Sequence, residues 1–152
     1  MELELKRGGR TARVETLGGE LVSYRDERGL EYIWGGDPAY WPGRNPLLFP
    51  IVGMLKEGKI RFDGREYAME RHGFARRREF TPAARGEDWV RLELRESAET
   101  LALYPYPFRL AVEQRLTDTG FSTAVTVANP GEGPLPFCLG AHTGFRCPLE
   151  AG

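Results

Sequence analysis

Cysteine, histidine and long apolar runs are all scarce in this sequence. Its 152 residues include two cysteines and two histidines, which is too few cysteines for the disulfide framework of a small secreted domain. No apolar run is long enough to cross a bilayer, and the opening residues, MELELKRGGR, lack the apolar core of a signal peptide. We therefore expect a cytoplasmic protein with reduced thiols and no membrane partner.

An excess of either charge is also missing. The chain has 21 basic and 22 acidic residues, for a formal net charge of -1. Such a balance gives no electrostatic reason to expect binding to nucleic acid or to a membrane surface. Hydrophobic residues make up 41% of the chain, which is typical of a folded globular protein rather than a disordered one.

Helical periodicity is nearly absent, whereas strand and turn signals are frequent. About ten short segments alternate or are continuously apolar, and residues 97–103, with Ser97 as a cap, form the one helical turn that the pattern predicts. Asp63-Gly64 is a strong hairpin signal, and residues 108–116 and 121–127 form a longer hairpin. Residues 47–52 are predicted as a buried strand that Pro50 bends. The pattern favours an all-β antiparallel sandwich or barrel, as one domain over residues 1–152.

The two histidines stand in short blocks of similar composition. The first is HGFAR, residues 72–76, at the end of the apolar and hairpin-forming stretch 44–76. The second is GAHTGF, residues 140–145. Either histidine alone would be interpreted as a partly buried side chain that is hydrogen-bonded to backbone.

Four blocks in order carry a resemblance to a known family. They are NPLLFPIVG (45–53), HGFAR (72–76), YP with FRL (104–105 and 108–110) and PFCLGAH (136–142), with FRCPL (145–149) as a continuation. The chain resembles the aldose 1-epimerase (galactose mutarotase-like) family, in its branch of uncharacterised epimerase-like proteins. The resemblance implies an antiparallel β-supersandwich that binds a sugar and interconverts its anomers without a cofactor.

The resemblance also implies roles for individual residues. Opening a pyranose requires a base at the anomeric hydroxyl and an acid at the ring oxygen, and a histidine suits the second task. By resemblance, His142 is the catalytic acid and His72 binds the substrate near the ring oxygen. Arg44 falls near the family's substrate-binding arginine, and Arg76, which belongs to the matched block, is a further candidate for substrate binding and is expected to orient the His72 loop. Trp41 and Phe145 are candidates for apolar surfaces against the sugar ring.

One expected group has no counterpart in the sequence. The family's general base is a glutamate well beyond the second histidine block, and no glutamate here matches its motif. We therefore expect the chain to represent the N-terminal portion of the fold, with a second copy or a complementary C-terminal chain as a partner. The alternatives are a non-catalytic carbohydrate-binding half-domain and an assembly half.

Two further patterns have ordinary interpretations. The run Arg76-Arg77-Arg78 could bind phosphate, but we interpret it as a solvated face offset by Glu70 and Glu79. Cys138, His142 and Cys147 suggest zinc, yet an extended chain would separate Cys138 from His142 by roughly 13 Å, at about 3.3 Å per residue. Buried reduced thiols are the favoured interpretation, and a Cys138–Cys147 disulfide is an open alternative.

Overall fold

A computed structural model of the chain describes residues 1–149, so the last three residues of the predicted 1–152 domain lie outside it. The strands are β1 (Glu2–Arg7), β2 (Arg10–Glu15), β3 (Glu20–Arg25), β4 (Leu47–Leu48), β5 (Lys59–Phe62), β6 (Arg65–Ala68), β7 (Thr81–Arg85), β8 (Trp89–Arg95), β9 (Arg109–Leu116), β10 (Phe121–Ala128) and β11 (Gly140–Ala141). The helix α1 spans Ala98–Leu103, and 3₁₀ turns span Lys56–Gly58 and Ala75–Arg77. Across residues 1–149, no helix is long and apolar enough to cross a membrane.

The strands form four antiparallel sheets. One sheet has the order β1-β2-β3 and another the order β10-β9-β8-β7, while β5 pairs with β6 and β4 with β11. Every pairing between named strands is antiparallel. The predicted antiparallel all-β class is confirmed.

A single core cluster joins the sheets. Alternate residues of β1 and β2 face alternate residues of β8 and β9, and these apolar side chains are almost fully buried: Leu5, Ala12, Val14, Val90, Leu92, Leu110, Val112 and Leu116. An aromatic group extends the core, since the Phe49 ring lies 5.2 Å from Phe108 and 6.1 Å from Tyr104, between ring centroids. Phe49 thereby anchors the segment that follows β4.

Both predicted hairpins and the capped helix are confirmed. Asp63 and Gly64 have φ values of 47° and 80° between β5 and β6, as a turn with two left-handed residues requires. Strands β9 and β10 pair without a break in register. Ser97 caps α1 through a reciprocal pair of hydrogen bonds with Thr100.

Two details differ from the sequence-based expectation. The strand predicted over residues 47–52 is β4, which ends at Leu48. Beyond it, the carbonyls of Phe49 and Pro50 accept from Phe74, Ala75 and Cys138 rather than from a regular ladder, and Pro50 has no N–H to give. Strand β7 was not predicted, because Pro82 and the lack of alternation there conceal an edge strand.

Candidate functional site

The segment 46–53 lies between the two histidine blocks. On one side β4 pairs with β11, and the His142 N–H continues the pairing by donating to the Pro46 carbonyl at 3.2 Å. On the other side Phe49 forms a parallel bridge with Gly73. The rings of His72 and His142 consequently meet, with centroids 5.2 Å apart and planes at 77°. Two side chains that are distant in sequence therefore share one site.

The first block turns sharply because of its His-Gly pair. His72 and Gly73 both have left-handed backbones, with φ values of 67° and 69°. A Cβ atom at position 73 would collide with the Phe49 carbonyl oxygen, so only glycine permits this approach. The same carbonyl accepts from the N–H groups of Phe74 and Ala75, at 3.0 and 3.2 Å. The turn thus fixes the histidine block against the central segment.

The backbone of Gly53 fixes the orientation of the His72 ring. The Gly53 N–H donates to His72 Nδ1 at 3.0 Å, and the Gly53 carbonyl accepts from the His72 N–H at 2.8 Å. Because Nδ1 is an acceptor, the neutral ring carries its proton on Nε2. Burial lowers the pKa of His72 below its ordinary value, and the charges of Arg76, His142 and Arg71 add to this shift. His72 is therefore suited to act as a neutral donor.

His142 is held through its backbone while its ring stays available. The Thr143 hydroxyl donates to Asn45 Oδ1 at 2.7 Å, and the Gly144 N–H donates to the Arg44 carbonyl at 2.7 Å. The His142 side chain is exposed, and it forms no hydrogen bond with any residue in the described range. The loop is fixed and the imidazole is free to contact a ligand.

Arg44 is positioned beside the His142 block. The Glu20 carboxylate accepts from the N–H groups of Arg44 and Asn45, at 2.8 and 2.6 Å. The guanidinium lies against Gly36, where a Cβ atom would be 3.0 Å from Arg44 Cζ. Within residues 1–149 this guanidinium has no ion pair and no hydrogen bond to either histidine. The backbone of Arg44 therefore lies at the site, but its guanidinium forms no hydrogen bond with the imidazoles.

Arg76 lies across the His72 loop. Its Nη2 donates to the Arg71 carbonyl at 2.8 Å, and its buried Nε has no partner in the described part of the chain. The next two arginines are different, since Arg77 pairs with Glu70 at 2.6 Å and Arg78 with Glu99 at 3.7 Å. Of the two carboxylates expected to offset the arginine run, Glu70 therefore does so, whereas Glu79 lies 3.7 Å from the chain's N-terminal ammonium.

An aromatic rim adjoins the His142 block. The Trp41 ring packs against Gly144, where a Cβ atom would lie 2.7 Å from the ring, and Trp34 Nε1 donates to the Trp41 carbonyl at 2.8 Å. Phe145 is 67% exposed and its backbone forms a bridge with Ile33. Sugar rings pack well on such exposed aromatic surfaces, since these surfaces are apolar and rigid.

Sequence reasoning missed the backbone supports of the site. Gly53 contributes only main-chain groups, so its residue type does not reveal the bond to His72. Glu20 lies far from Arg44 in sequence, and nothing local to β3 indicates that its carboxylate holds the segment before β4. A glycine at position 53 could have indicated only that the backbone there has a positive φ, which is 85° in the structure.

The structure of residues 1–149 shows neither the zinc site nor the Cys138–Cys147 disulfide that the sequence could suggest. Residues 1–149 contain no group of three potential metal ligands, and Cys138 and Cys147 are both free. The prediction that these thiols are buried was wrong, because residues 137–139 and 145–149 run along the surface. No carboxylate within residues 1–149 forms an ion pair or hydrogen bond with either histidine.

The chain matches a family of known proteins. The sequence model of the family described as aldose 1-epimerase matches residues 1–151. The plasmid-encoded protein LacX of Lactococcus lactis subsp. lactis is 39% identical over 158 residues, covering 100% of this chain and 53% of LacX.

Two solved structures share the fold. A galactose mutarotase related enzyme from Lactobacillus acidophilus is 27% identical with a TM-score of 0.95, covering 100% of this chain and 51% of its own. A galactose mutarotase-like protein from Lactobacillus casei ATCC 334 is 33% identical with a TM-score of 0.94, covering 99% of this chain and 52% of its own. The chain spans about half the length of these relatives, and its fold is galactose mutarotase-like. It belongs to the aldose 1-epimerase family.

Proposed function

We propose that this chain carries the sugar-binding and proton-donating part of an aldose 1-epimerase-like isomerase. The substrate class is a hexose or hexose derivative, whose anomers interconvert through the open-chain aldehyde. The observation that carries the proposal is the 5.2 Å separation of the His72 and His142 rings across the central segment. Family membership supports an epimerase or mutarotase-like role in carbohydrate chemistry.

The two histidines have different tasks in this proposal. His142 acts as general acid: it gives a proton to the ring oxygen as the bond from that oxygen to the anomeric carbon breaks, and takes it back on closure. His72 donates from Nε2, because Gly53 occupies Nδ1. A neutral His72 avoids a second positive charge beside a protonated His142, and the lowered pKa of His72 favours that arrangement.

The arginines and the aromatic rim bind the remainder of the sugar. Within residues 1–149 the Arg44 guanidinium forms no ion pair and that of Arg76 donates only to the Arg71 carbonyl, so both keep N–H groups for sugar hydroxyls, which are suitable acceptors. Trp41 and Phe145 offer apolar surfaces to the C–H groups of the ring. We propose no cofactor, since proton transfers alone open and close a pyranose.

The general base is a carboxylate supplied from outside residues 1–149. It removes the proton of the anomeric hydroxyl, so that the electron pair can form the aldehyde carbonyl. The support for an outside source is that no carboxylate in this range forms an ion pair or a hydrogen bond with either histidine. Its source is the polypeptide that corresponds to the second half of the relatives, which are about twice as long as the match.

Anomer exchange of freshly dissolved α-galactose, followed by polarimetry, tests the function. The 152-residue chain is measured alone and co-expressed with the part of LacX that it does not match. We expect a rate above buffer for the co-expressed pair and a loss of that acceleration in His142→Gln. A buffer rate for the folded pair would contradict the isomerase proposal.

A non-catalytic carbohydrate-binding module is the second candidate. It is favoured because, within residues 1–149, no carboxylate forms an ion pair or a hydrogen bond with either histidine. It predicts sugar-dependent changes at both imidazoles with no acceleration of anomer exchange in any pairing. Galactose binding by isothermal calorimetry, together with the polarimetric rate, separates the two candidates.

A further inference from the structure

A cavity of about 450 Å³ lies between the end of β6, the turn Ala75–Arg77 and the end of α1. Its volume falls within the roughly 300–1,000 Å³ of small-molecule sites. Neither His72 nor His142 lines it, so the cavity is separate from the two-histidine site. Its apolar lining comes from Ala68, Met69, Phe74 and Leu103, and its charged lining includes Arg77 and Arg78.

The floor of the cavity is apolar and held in place. Met69 and Phe74 are 4% and 5% exposed, and both belong to the core cluster. The Met69 N–H donates to the Gly58 carbonyl at 2.9 Å, and the Phe74 N–H donates to the Phe49 carbonyl at 3.0 Å. A methionine sulfur and a phenylalanine ring both make favourable contacts with an aromatic ring. The floor is therefore suited to a flat aryl group.

The two arginines at the cavity differ in how they are bound. Arg77 forms an ion pair at 2.6 Å with Glu70, which also lines the cavity. Arg78 lies 3.7 Å from Glu99, too far for a hydrogen bond, and its guanidinium forms no hydrogen bond within residues 1–149. The Arg78 backbone is fixed, since its carbonyl accepts from the Gly18 N–H at 2.8 Å. Arg78 therefore offers unused N–H donors from a fixed position.

We propose that this cavity binds a small aromatic carboxylate, with the aryl group on Met69 and Phe74 and the carboxylate on Arg78. The ionisable side chains that line the cavity are Glu70, Arg77 and Arg78, so its formal charge favours an anion. A planar guanidinium matches the two oxygens of a carboxylate. Inorganic phosphate would leave the apolar floor in contact with water, so the arginine run alone does not define the ligand. The proposal is independent of the proposed sugar function.

Titration of the nitrogen-15-labelled 152-residue chain with 3-phenylpropanoate, followed by amide spectra, tests the proposal. We expect saturable shifts at Gly58, Met69, Phe74 and Leu103, with a Kd of about 1 mM. Acetate lacks the ring and 3-phenylpropan-1-ol lacks the charge, and each should bind about tenfold more weakly. Shifts that do not saturate by about 20 mM, or acetate binding as tightly as 3-phenylpropanoate, would overturn the proposal.

Variants of the lining separate the two parts of the site. Arg78→Gln should weaken 3-phenylpropanoate about tenfold and leave 3-phenylpropan-1-ol unchanged, because only the carboxylate uses the guanidinium. Arg85→Gln is the matched control, since it removes the same charge at the end of β7, away from the cavity, and should bind both compounds like the parent chain. Ala68→Trp fills the cavity and should abolish saturable binding. Parent-like binding of 3-phenylpropanoate by folded Arg78→Gln or Ala68→Trp would contradict the proposal.

Discussion

At the scale of single residues, the site depends on a left-handed His-Gly turn and on one backbone hydrogen bond. The turn at His72 and Gly73 brings the chain against the Phe49 carbonyl, and Gly53 then fixes the imidazole. The His-Gly pair is visible in the sequence, and a turn can be inferred from it. The bond from Gly53 could not be predicted, because a main-chain donor leaves no trace in residue type.

Gly73→Ala should destabilise the fold by roughly 3 kcal/mol or more, because it adds backbone strain and a collision with the Phe49 carbonyl. Gly64→Ala is the matched control, since Gly64 also has a positive φ, 80°, but has open space around its Cα. The control should cost about 1–2 kcal/mol from strain alone. Urea unfolding measures both, and similar losses would show that the close approach at Gly73 is not tight.

The lowered pKa of His72 predicts a pH dependence of stability. Burial, and then the charge of Arg76, lower the pKa of His72 in the folded chain below its ordinary value of 6.5. As the pH falls below 6.5, the unfolded chain therefore binds more protons than the folded chain. Stability therefore falls as the pH drops from 6.5 through the folded pKa. His72→Asn removes this titration, and asparagine tolerates the left-handed backbone.

The parent chain should consequently lose more unfolding free energy than His72→Asn between about pH 7 and about pH 5. Urea unfolding at a series of pH values measures the difference. His142→Asn serves as the comparison, since it removes the neighbouring imidazole but leaves Nδ1 of His72 bound to Gly53. Parallel pH profiles for the parent chain and His72→Asn would refute the environment described for His72.

At the scale of elements, sequence patterns with a local cause were predictable. The Asp63-Gly64 turn, the β9–β10 hairpin and the Ser97 cap depend on neighbouring residues, and all three are confirmed. The predicted extent of β4, residues 47–52, was wrong because the hydrogen-bond partners of Phe49 and Pro50 come from segments distant in sequence. The pairing of β4 with β11 likewise has no local signal.

A buried polar contact joins the four-stranded sheet to the turn between β2 and β3. Gln114 Nε2 donates to the Gly19 carbonyl at 2.9 Å, and its Oε1 accepts from the Thr123 hydroxyl at 2.6 Å. Gln114→Met should lower the unfolding free energy by roughly 2 kcal/mol, since a buried carbonyl loses its donor. Ser122→Ala on the exposed face is the control and should stay within about 0.5 kcal/mol of the parent. Thermal unfolding measures both variants, and equal melting temperatures would mean that Gln114 does not join these elements.

At the scale of the whole molecule, four blocks in sequence order indicated the family, and both the family and its fold are confirmed. The sequence spacing of His72 and His142 could not predict that they are close. Their proximity depends on the segment 46–53, which pairs with one histidine block on each side. The pairing of residues 46–53 on both sides therefore brings together two histidine blocks, residues 72–76 and 140–145, that are distant in sequence. Sequence patterns also do not indicate that, within residues 1–149, β10 pairs with a strand on one side only.

Nitrogen-15 spectra of the histidine rings test the central claim most directly. The chain has two histidines, so His142→Gln assigns both sets of signals. Titrating the protein with galactose should shift the ring signals of His72 and His142 along one common binding curve, with His72 remaining in its Nε2–H form. Signals that do not move, or a shift confined to one ring, would contradict a shared sugar site.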